Sequence, residues 1–223
     1  MEQEEMEQII HLLWTGGWDS TFRLLYLLLI ERREVQLYYL IQSERPQLVI
    51  EIRAMEKIKE IITMRYPSTK KLIKPTIIRN MKDFTEYEEI DEMFNNLLCL
   101  THIGWQYVGL SKFAKHYNLN ELEICDVKND CKNAIAGLIA SNCEGKGHEC
   151  KIKNRPDNKN LEMFKPFRFP LIYLSKLEMK YIAKEEGFYD IMKHTWYCGS
   201  PKKGNPCGKC RPCTIRKASG LEL

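Results

Sequence analysis

The chain lacks an apolar run of the length that crosses a membrane. A transmembrane helix needs about 18 to 20 mostly apolar residues, and no such segment occurs in the 223 residues. Residues 1–8 are acidic and polar, without the pattern of a secretory signal. We therefore expect a cytoplasmic protein whose cysteines stay in a reducing compartment.

Neither sign of charge dominates the composition. The 34 basic and 30 acidic side chains give a formal net charge of +4, which is too balanced to predict nucleic-acid binding by itself. A phosphorylated small molecule is an equally suitable partner. The sequence also lacks internal repeats and low-complexity tracts. Its 44% hydrophobic content predicts one main domain over residues 1–190 and an appended segment over 191–223.

Alternating strand and helix patterns predict a parallel sheet. Strands are predicted at residues 9–14, 35–41, 72–78 and 122–127, and helices after the first turn, at 48–64 and through Trp105, Val108 and Ala114. The interpretation is an α/β fold with a doubly wound parallel sheet of about five strands. Residues 142–160, rich in Gly, Lys and Asn, are predicted to form an exposed loop. Ser175 and Glu178 predict a capping box for a helix that ends near Gly187.

The first predicted strand runs directly into the turn TGGWDST, residues 15–21. Paired glycines at 16 and 17 free the backbone to present successive N–H groups at a helix N-terminus, which binds anions such as phosphate. The hydroxyl groups of Ser20 and Thr21 add donors, and Thr15 lies at the entry. The P-loop lysine of GxxxxGK[ST] is missing. Asp19 either caps the helix or helps to hold a magnesium ion, and an ordinary strand-to-helix turn remains the alternative.

Four cysteines lie within 16 residues near the end of the sequence, in TWYCGSPKKGNPCGKCRPC: Cys198, Cys207, Cys210 and Cys213. Four thiolates at this spacing predict a closed tetrahedral zinc site that is structural, because no position is left for water or substrate. The alternatives are two disulfides or small core residues. Turn formers and charges around the thiols favour zinc. The other five cysteines are scattered and are predicted to be free thiols.

TGGWDST resembles the SGGxDS signature of the PP-loop ATP pyrophosphatases. TWYC and CGKCRPCTIRKA are similar to the zinc segment of one branch, the 7-cyano-7-deazaguanine synthases (QueC), and FPLIYLSKLEMKYIAKEEG resembles the stretch that precedes it. The resemblance implies a Rossmann-like fold of the adenine nucleotide alpha hydrolase type. It also implies a homodimer.

The resemblance implies an ATP-dependent carbon–nitrogen ligase. Such enzymes transfer AMP to a carboxylate, here 7-carboxy-7-deazaguanine, and ammonia then displaces AMP to give an amide; a second ATP drives its dehydration to a nitrile. On this basis residues 15–17 and 19–21 would hold ATP with magnesium. Asp19, Ser20 and Lys176 would be catalytic. Candidate substrate residues are Gln42, Arg45, Asp126 and Asp130.

The sequence departs from this family at positions that affect which substrate is bound. Gln42 and Arg45 are kept after the second strand, but Pro46 replaces a histidine, and Thr15 replaces the first serine of the signature. The stretch after CDVKND also differs. The alternatives are therefore a deazaguanine-transferring enzyme of an anti-phage system with a partner protein as acceptor, another PP-loop reaction such as thiolation of a tRNA base, and a non-catalytic nucleotide-binding module.

Overall fold

The computed structural model describes residues 8–42, 47–127 and 135–221. The strands are β1 (Ile10–Leu13), β2 (Val35–Ile41), β3 (Ile77–Asn80), β4 (Leu122–Glu123), β5 (Cys143–Glu144), β6 (Lys151–Ile152) and β7 (Phe167–Arg168). The helices are α1 (Trp18–Leu29), α2 (Leu48–Arg65), α3 (Glu88–Leu98), α4 (Gln106–His116), α5 (Ile135–Ser141), α6 (Lys176–Glu185), α7 (Tyr189–Met192) and α8 (Arg211–Ala218).

The strands form one mixed sheet in the order β3-β2-β1-β4-β7-β6-β5. Strands β3, β2, β1, β4 and β7 are parallel, and β5 and β6 are antiparallel. The chain leaves β1 towards β2 on one side and returns to β4 on the other, so the order reverses next to β1. The carboxyl edge at such a reversal is where open α/β sheets bind ligands.

Both faces of the sheet are covered, as a parallel sheet requires. Along β2, Leu37 and Tyr39 join a buried cluster with α1, α2, α6 and α7. The alternate residues Tyr38 and Leu40 join a second cluster with α3, α4 and α5. Alternate residues of β2, which is mostly apolar, therefore pack into two different cores. The α/β fold class is confirmed.

The prediction of five strands is wrong, because the sheet has seven. The two additional strands lie in residues 142–160, which were predicted to be an exposed loop. β5 and β6 form a hairpin that pairs with the edge of β7, and Cys150 beside it is fully buried. Glycines at 145 and 147, both with positive φ, form the turn of a hairpin rather than marking a long loop.

Other elements follow the sequence pattern more closely. The capping box of α6 is confirmed: Ser175 Oγ accepts from the Glu178 N–H, while the Glu178 carboxylate accepts from the Ser175 N–H. Gly187 follows this helix with a φ of +73°. In the three described ranges, no helix is both long and apolar enough to cross a bilayer.

Candidate nucleotide and metal site

The glycine turn connects β1 to α1 at the carboxyl edge of the sheet. Gly16 has a φ of +69°, and a Cβ there would come within 2.9 Å of the Met55 Cγ atom. Gly17 is the N-cap of α1, with no side-chain cap. Asp19 therefore lies in the first helical turn and is not the N-cap that the sequence offered as one alternative. Its negative charge suits the positive end of the helix dipole.

The hydroxyl groups of the turn have two different environments. The Ser20 Oγ atom lies 3.4 Å from the Thr15 N–H and 3.5 Å from the Thr15 Oγ1 atom, so both hydroxyls stay at the mouth of the turn. Thr21 is fully buried, and its Oγ1 atom accepts a hydrogen bond of 3.0 Å from Trp14 Nε1. Thr21 thus has a hydrogen-bond partner within the buried cluster, and its phosphate role stays a prediction.

Lys176 lies at the start of α6, far from the turn in sequence but next to it in space. Its Nζ atom donates to both carboxylate oxygens of Asp19 at 2.8 Å. The two side chains are only 11% and 25% exposed, which strengthens their interaction relative to a surface pair. Two of the residues singled out as catalytic thus meet in one ion pair.

A first cavity, which we call the sheet-edge cavity, has a volume of about 230 Å³. Its walls include the carboxyl ends of β1, β2 and β4 and the residues after them: Leu13, Leu40, Gln42, Ile124 and Asp126. Asp126 accepts a hydrogen bond of 2.8 Å from the Tyr107 hydroxyl, and burial raises the pKa of that tyrosine well above its usual value. The predicted residues Gln42 and Asp126 therefore share this cavity with the turn.

A second cavity, which we call the C-terminal cavity, has a volume of about 420 Å³. It lies between the glycine turn and the cysteine segment, and its walls include Gln47, Lys176, Trp196, Cys198 and Arg216. Thr15, Gly17, Trp18 and Asp19 line both cavities. The turn is thus the common wall of two spaces at the edge of the sheet.

The cysteine segment contacts the glycine turn directly. The Trp196 N–H donates to the Gly16 carbonyl at 2.9 Å, two residues before the first cysteine. Leu221, beyond α8, packs in the same buried cluster as residues of α1. The position of the cysteine segment is therefore coupled to the shape of the turn.

The four cysteines form a compact cluster whose Sγ atoms all lie within 4.8 Å of one another. Sγ–Sγ distances are 3.8 Å for Cys198 and Cys210, 4.0 Å for Cys207 and Cys213, and 3.4 Å for Cys210 and Cys213. A tetrahedral ion with metal–sulfur bonds of about 2.3 Å requires about 3.8 Å. The donor set therefore fits a tetrahedral metal ion.

Backbone donors in the cluster favour thiolates. The N–H groups of Lys209 and Cys210 donate to the Cys207 Sγ atom at 3.4 and 3.3 Å, and these bonds lower the pKa of Cys207 to about 6. Burial raises the pKa of Cys213 to about 12. A cation would stabilise both thiolates, since metal binding deprotonates its thiol ligands.

Two predicted substrate residues, Arg45 and Asp130, lie outside the described residues. The cavities also include residues that were not singled out from the sequence, among them Gln47, Glu51, Trp196 and Arg216. Glu51 accepts from the Tyr39 hydroxyl at 2.5 Å and lines both cavities. No sequence pattern marks Arg216, because its burial arises from packing against Tyr197 and Trp18.

Two comparisons with known proteins give partial matches to this chain. The family described as "Queuosine biosynthesis protein QueC" matches residues 156–222, a range that holds Lys176 and all four cysteines. A 7-cyano-7-deazaguanine synthase from Clostridium acetobutylicum is 34% identical over 97 residues, which cover 41% of this chain and 43% of the relative. The match thus spans less than half of the relative's length. Residues 156–222 of the chain are therefore similar to the QueC family.

Proposed function

We propose that the protein is an ATP-dependent ligase that adenylates a carboxylate and transfers the acyl group to ammonia or another amine. The supporting observation is that Thr15, Gly17 and Asp19 line both cavities at the carboxyl edge of the sheet. A nucleotide in the sheet-edge cavity and a carboxylate in the C-terminal cavity would meet at this turn. Holding both reactants there would supply much of the rate acceleration.

The sheet-edge cavity is suited to the adenosine part of ATP. Leu13, Leu40 and Ile124 offer apolar walls for the base, and Gln42 and Asp126 offer polar contacts. The phosphates would lie on the N-terminus of α1, where free N–H groups and the helix dipole attract anions. Thr15 and Ser20 would add hydroxyl donors. Magnesium, when bound with ATP, would neutralise charge on the departing pyrophosphate.

Asp19 and Lys176 would act as a pair. In the structure they neutralise one another. When Asp19 helps to hold the nucleotide's magnesium, Lys176 becomes available to a phosphate oxygen, where positive charge stabilises the transition state. A carboxylate oxygen of the acyl substrate would then attack the α-phosphorus, and the bond between the α and β phosphates would break. Ammonia would displace AMP from the acyl adenylate, losing a proton to give the amide.

By likeness to the relative, the acyl substrate would be 7-carboxy-7-deazaguanine, and a second ATP would convert the amide to 7-cyano-7-deazaguanine. The four cysteines would hold a structural zinc ion in the segment 191–223, next to a nucleotide-binding domain over 1–190. We also propose a cytoplasmic homodimer. Arg45 and Asp130 remain proposed substrate residues.

The proposal is tested by carboxylate-dependent exchange of labelled pyrophosphate into ATP, which reports adenylation without the amine. We expect exchange with 7-carboxy-7-deazaguanine, and a loss of at least 100-fold in Asp19→Asn and Lys176→Met. Lys184→Met, an exposed position on the same helix α6, is the matched control and should keep its exchange. Equal exchange in all four proteins would contradict the assigned roles, and binding of ATP without exchange would favour a non-catalytic module.

A further inference from the structure

Arg216 of α8 is a buried cation in the wall of the C-terminal cavity. The residue is 6% exposed, and its guanidinium carbon lies 4.2 Å from the ring centroid of Tyr197 and 5.6 Å from that of Trp18. Such stacking fixes the plane of the guanidinium and supplies cation–π stabilisation. The side chain is therefore held in place before any ligand binds.

Arg216 has no carboxylate partner in the part of the chain that the structure describes. Its Nη2 atom is buried and makes no hydrogen bond there. Burying a charge without a counter-ion is costly, and a folded protein keeps such a group where an anion completes it. The contrast with Arg23 is informative, since that equally buried guanidinium is paired with Glu123 and Glu31.

Two other residues that line this cavity each carry a buried polar atom with no hydrogen-bond partner among the described residues. These atoms are Trp18 Nε1, a donor, and Gln47 Oε1, an acceptor. An unmade hydrogen bond at a buried atom costs about 1 to 3 kcal/mol. The residues that carry these atoms line one cavity, together with Trp196, and a wall of aromatic rings with one cation suits a flat ligand with a negative charge.

We propose that Arg216 binds the carboxylate of the acyl substrate in the C-terminal cavity, and that the cavity selects planar heteroaromatic carboxylates. This inference rests on the proposed function and adds the residue that recognises the reacting group. Arg216 is a substrate-positioning residue. Lys176, in the same wall and next to Asp19, is left to contact the phosphates of the nucleotide. Lys176 would thus contact the nucleotide, and Arg216 would contact the carboxylate substrate.

A different role for Arg216 would be to balance the charge of the cysteine cluster, since it lies near Cys213. Binding measurements separate the roles, because charge balance alone gives no preference between ligands. The probes are matched pairs, a planar carboxylate and its primary amide: 7-carboxy-7-deazaguanine and indole-3-carboxylate, each with its amide. Isothermal titration calorimetry reports binding, because the indole probes absorb and emit in the same range as tryptophan.

With the full metal-loaded chain we expect at least one carboxylate to bind about tenfold or more tightly than its amide. Arg216→Gln should reduce this preference to less than twofold and leave the Kd of ATP unchanged. Arg211→Gln, at an exposed arginine of the same helix, should keep the preference. Arg216→Lys should retain part of the preference for carboxylate over amide. If Arg216→Gln does not fold, a reduced preference in Arg216→Lys is the expected result instead.

Three results would overturn the inference: a wild-type protein with no preference for carboxylate over amide, a preference that survives Arg216→Gln, or a loss confined to ATP and pyrophosphate binding. The last result would assign Arg216 to the phosphates. These readouts need no turnover, so they are independent of the exchange assay. Exchange without the preference would leave the proposed function standing and remove only the role of Arg216.

Discussion

At the scale of single residues, Gly16 is the position where the backbone depends most on having no side chain. Its φ of +69° costs an L-residue about 1 to 2 kcal/mol, and the close approach to Met55 adds overpacking. We expect Gly16→Ala to lower the free energy of unfolding by about 2 to 4 kcal/mol and to weaken ATP binding. Denaturant unfolding and calorimetric titration with ATP measure the two effects.

Gly187→Ala is the matched control, because Gly187 has a similar φ of +73° but open space around its Cβ position. It should cost only the backbone strain and leave the Kd of ATP unchanged. If the two variants lose the same stability and bind ATP equally well, the shape of the turn around Gly16 is not what the site requires.

His11 of β1 links the stability of the fold to pH. Burial lowers the pKa of its imidazole from 6.5, so below pH 6.5 the unfolded chain binds more protons than the folded one. Stability should therefore be fully present above pH 6.5 and fall as the pH is lowered towards the folded pKa. In His11→Asn this part of the pH dependence should disappear. Unfolding curves of both proteins from pH 5 to 8 test this prediction. If the free energy of unfolding depends on pH in the same way in both, His11 is not the group responsible.

At the scale of elements, the cysteine segment and the glycine turn form one unit. The hydrogen bond from Trp196 to Gly16 and the shared C-terminal cavity mean that loosening the segment should disturb the turn. We predict that Cys210→Ser, or removal of the metal by a chelator, lowers Tm by several degrees and weakens ATP binding about tenfold or more. Metal content, melting curves and the Kd of ATP are the measurements.

The control is Cys99→Ser, since Cys99 is exposed and outside the cluster. It should melt like the wild type and keep its metal. A melting curve that neither Cys210→Ser nor chelation changes would rule out a structural metal. A lower Tm with unchanged ATP binding would keep the metal and remove its coupling to the turn.

The elements also show where sequence reasoning worked. β2 was predicted with its observed bounds, because a short, mostly apolar run is typical of an interior strand of a parallel sheet. The hairpin of β5 and β6 was missed, since each strand has only two residues and gains its stability by pairing with β7. Short strands of this kind have no pattern of their own to detect.

At the scale of the whole molecule, a buried ion pair connects parts of the chain that are 100 residues apart. Arg23 of α1 donates to both carboxylate oxygens of Glu123 in β4, at 2.8 and 2.7 Å, and both side chains are nearly inaccessible. Glu123→Gln leaves the guanidinium short of a counter-ion and should lower the free energy of unfolding by about 3 to 5 kcal/mol.

The double variant Arg23→Met, Glu123→Leu should recover part of that loss, because replacing a buried pair by apolar residues removes both desolvation costs. Lys57→Met, which breaks an exposed pair with Glu60, should change stability by less than about 1 kcal/mol. Denaturant unfolding of the three variants decides the matter. Equal losses for Glu123→Gln and Lys57→Met would contradict a structural role for the buried pair.

Part of the candidate site can be recognised from short sequence patterns, and part depends on packing between distant segments. Residues 15–20 and the four cysteines are recognisable from the sequence, because each set is short and its chemistry depends on close spacing. Gln47 and Arg216 are not, because their burial and lack of partners arise only when the C-terminal segment folds against α1 and the start of α2. The C-terminal cavity thus arises from packing between two segments that are far apart in the sequence.

The most direct test of the account is to identify the products after incubation of the metal-loaded protein with ATP, magnesium, ammonia and 7-carboxy-7-deazaguanine. We predict AMP and pyrophosphate that appear only when the carboxylate is present, together with the amide or nitrile of the heterocycle by mass spectrometry. ADP and phosphate as the nucleotide products, or no carboxylate-dependent AMP although both ligands bind, would contradict the proposed adenylation.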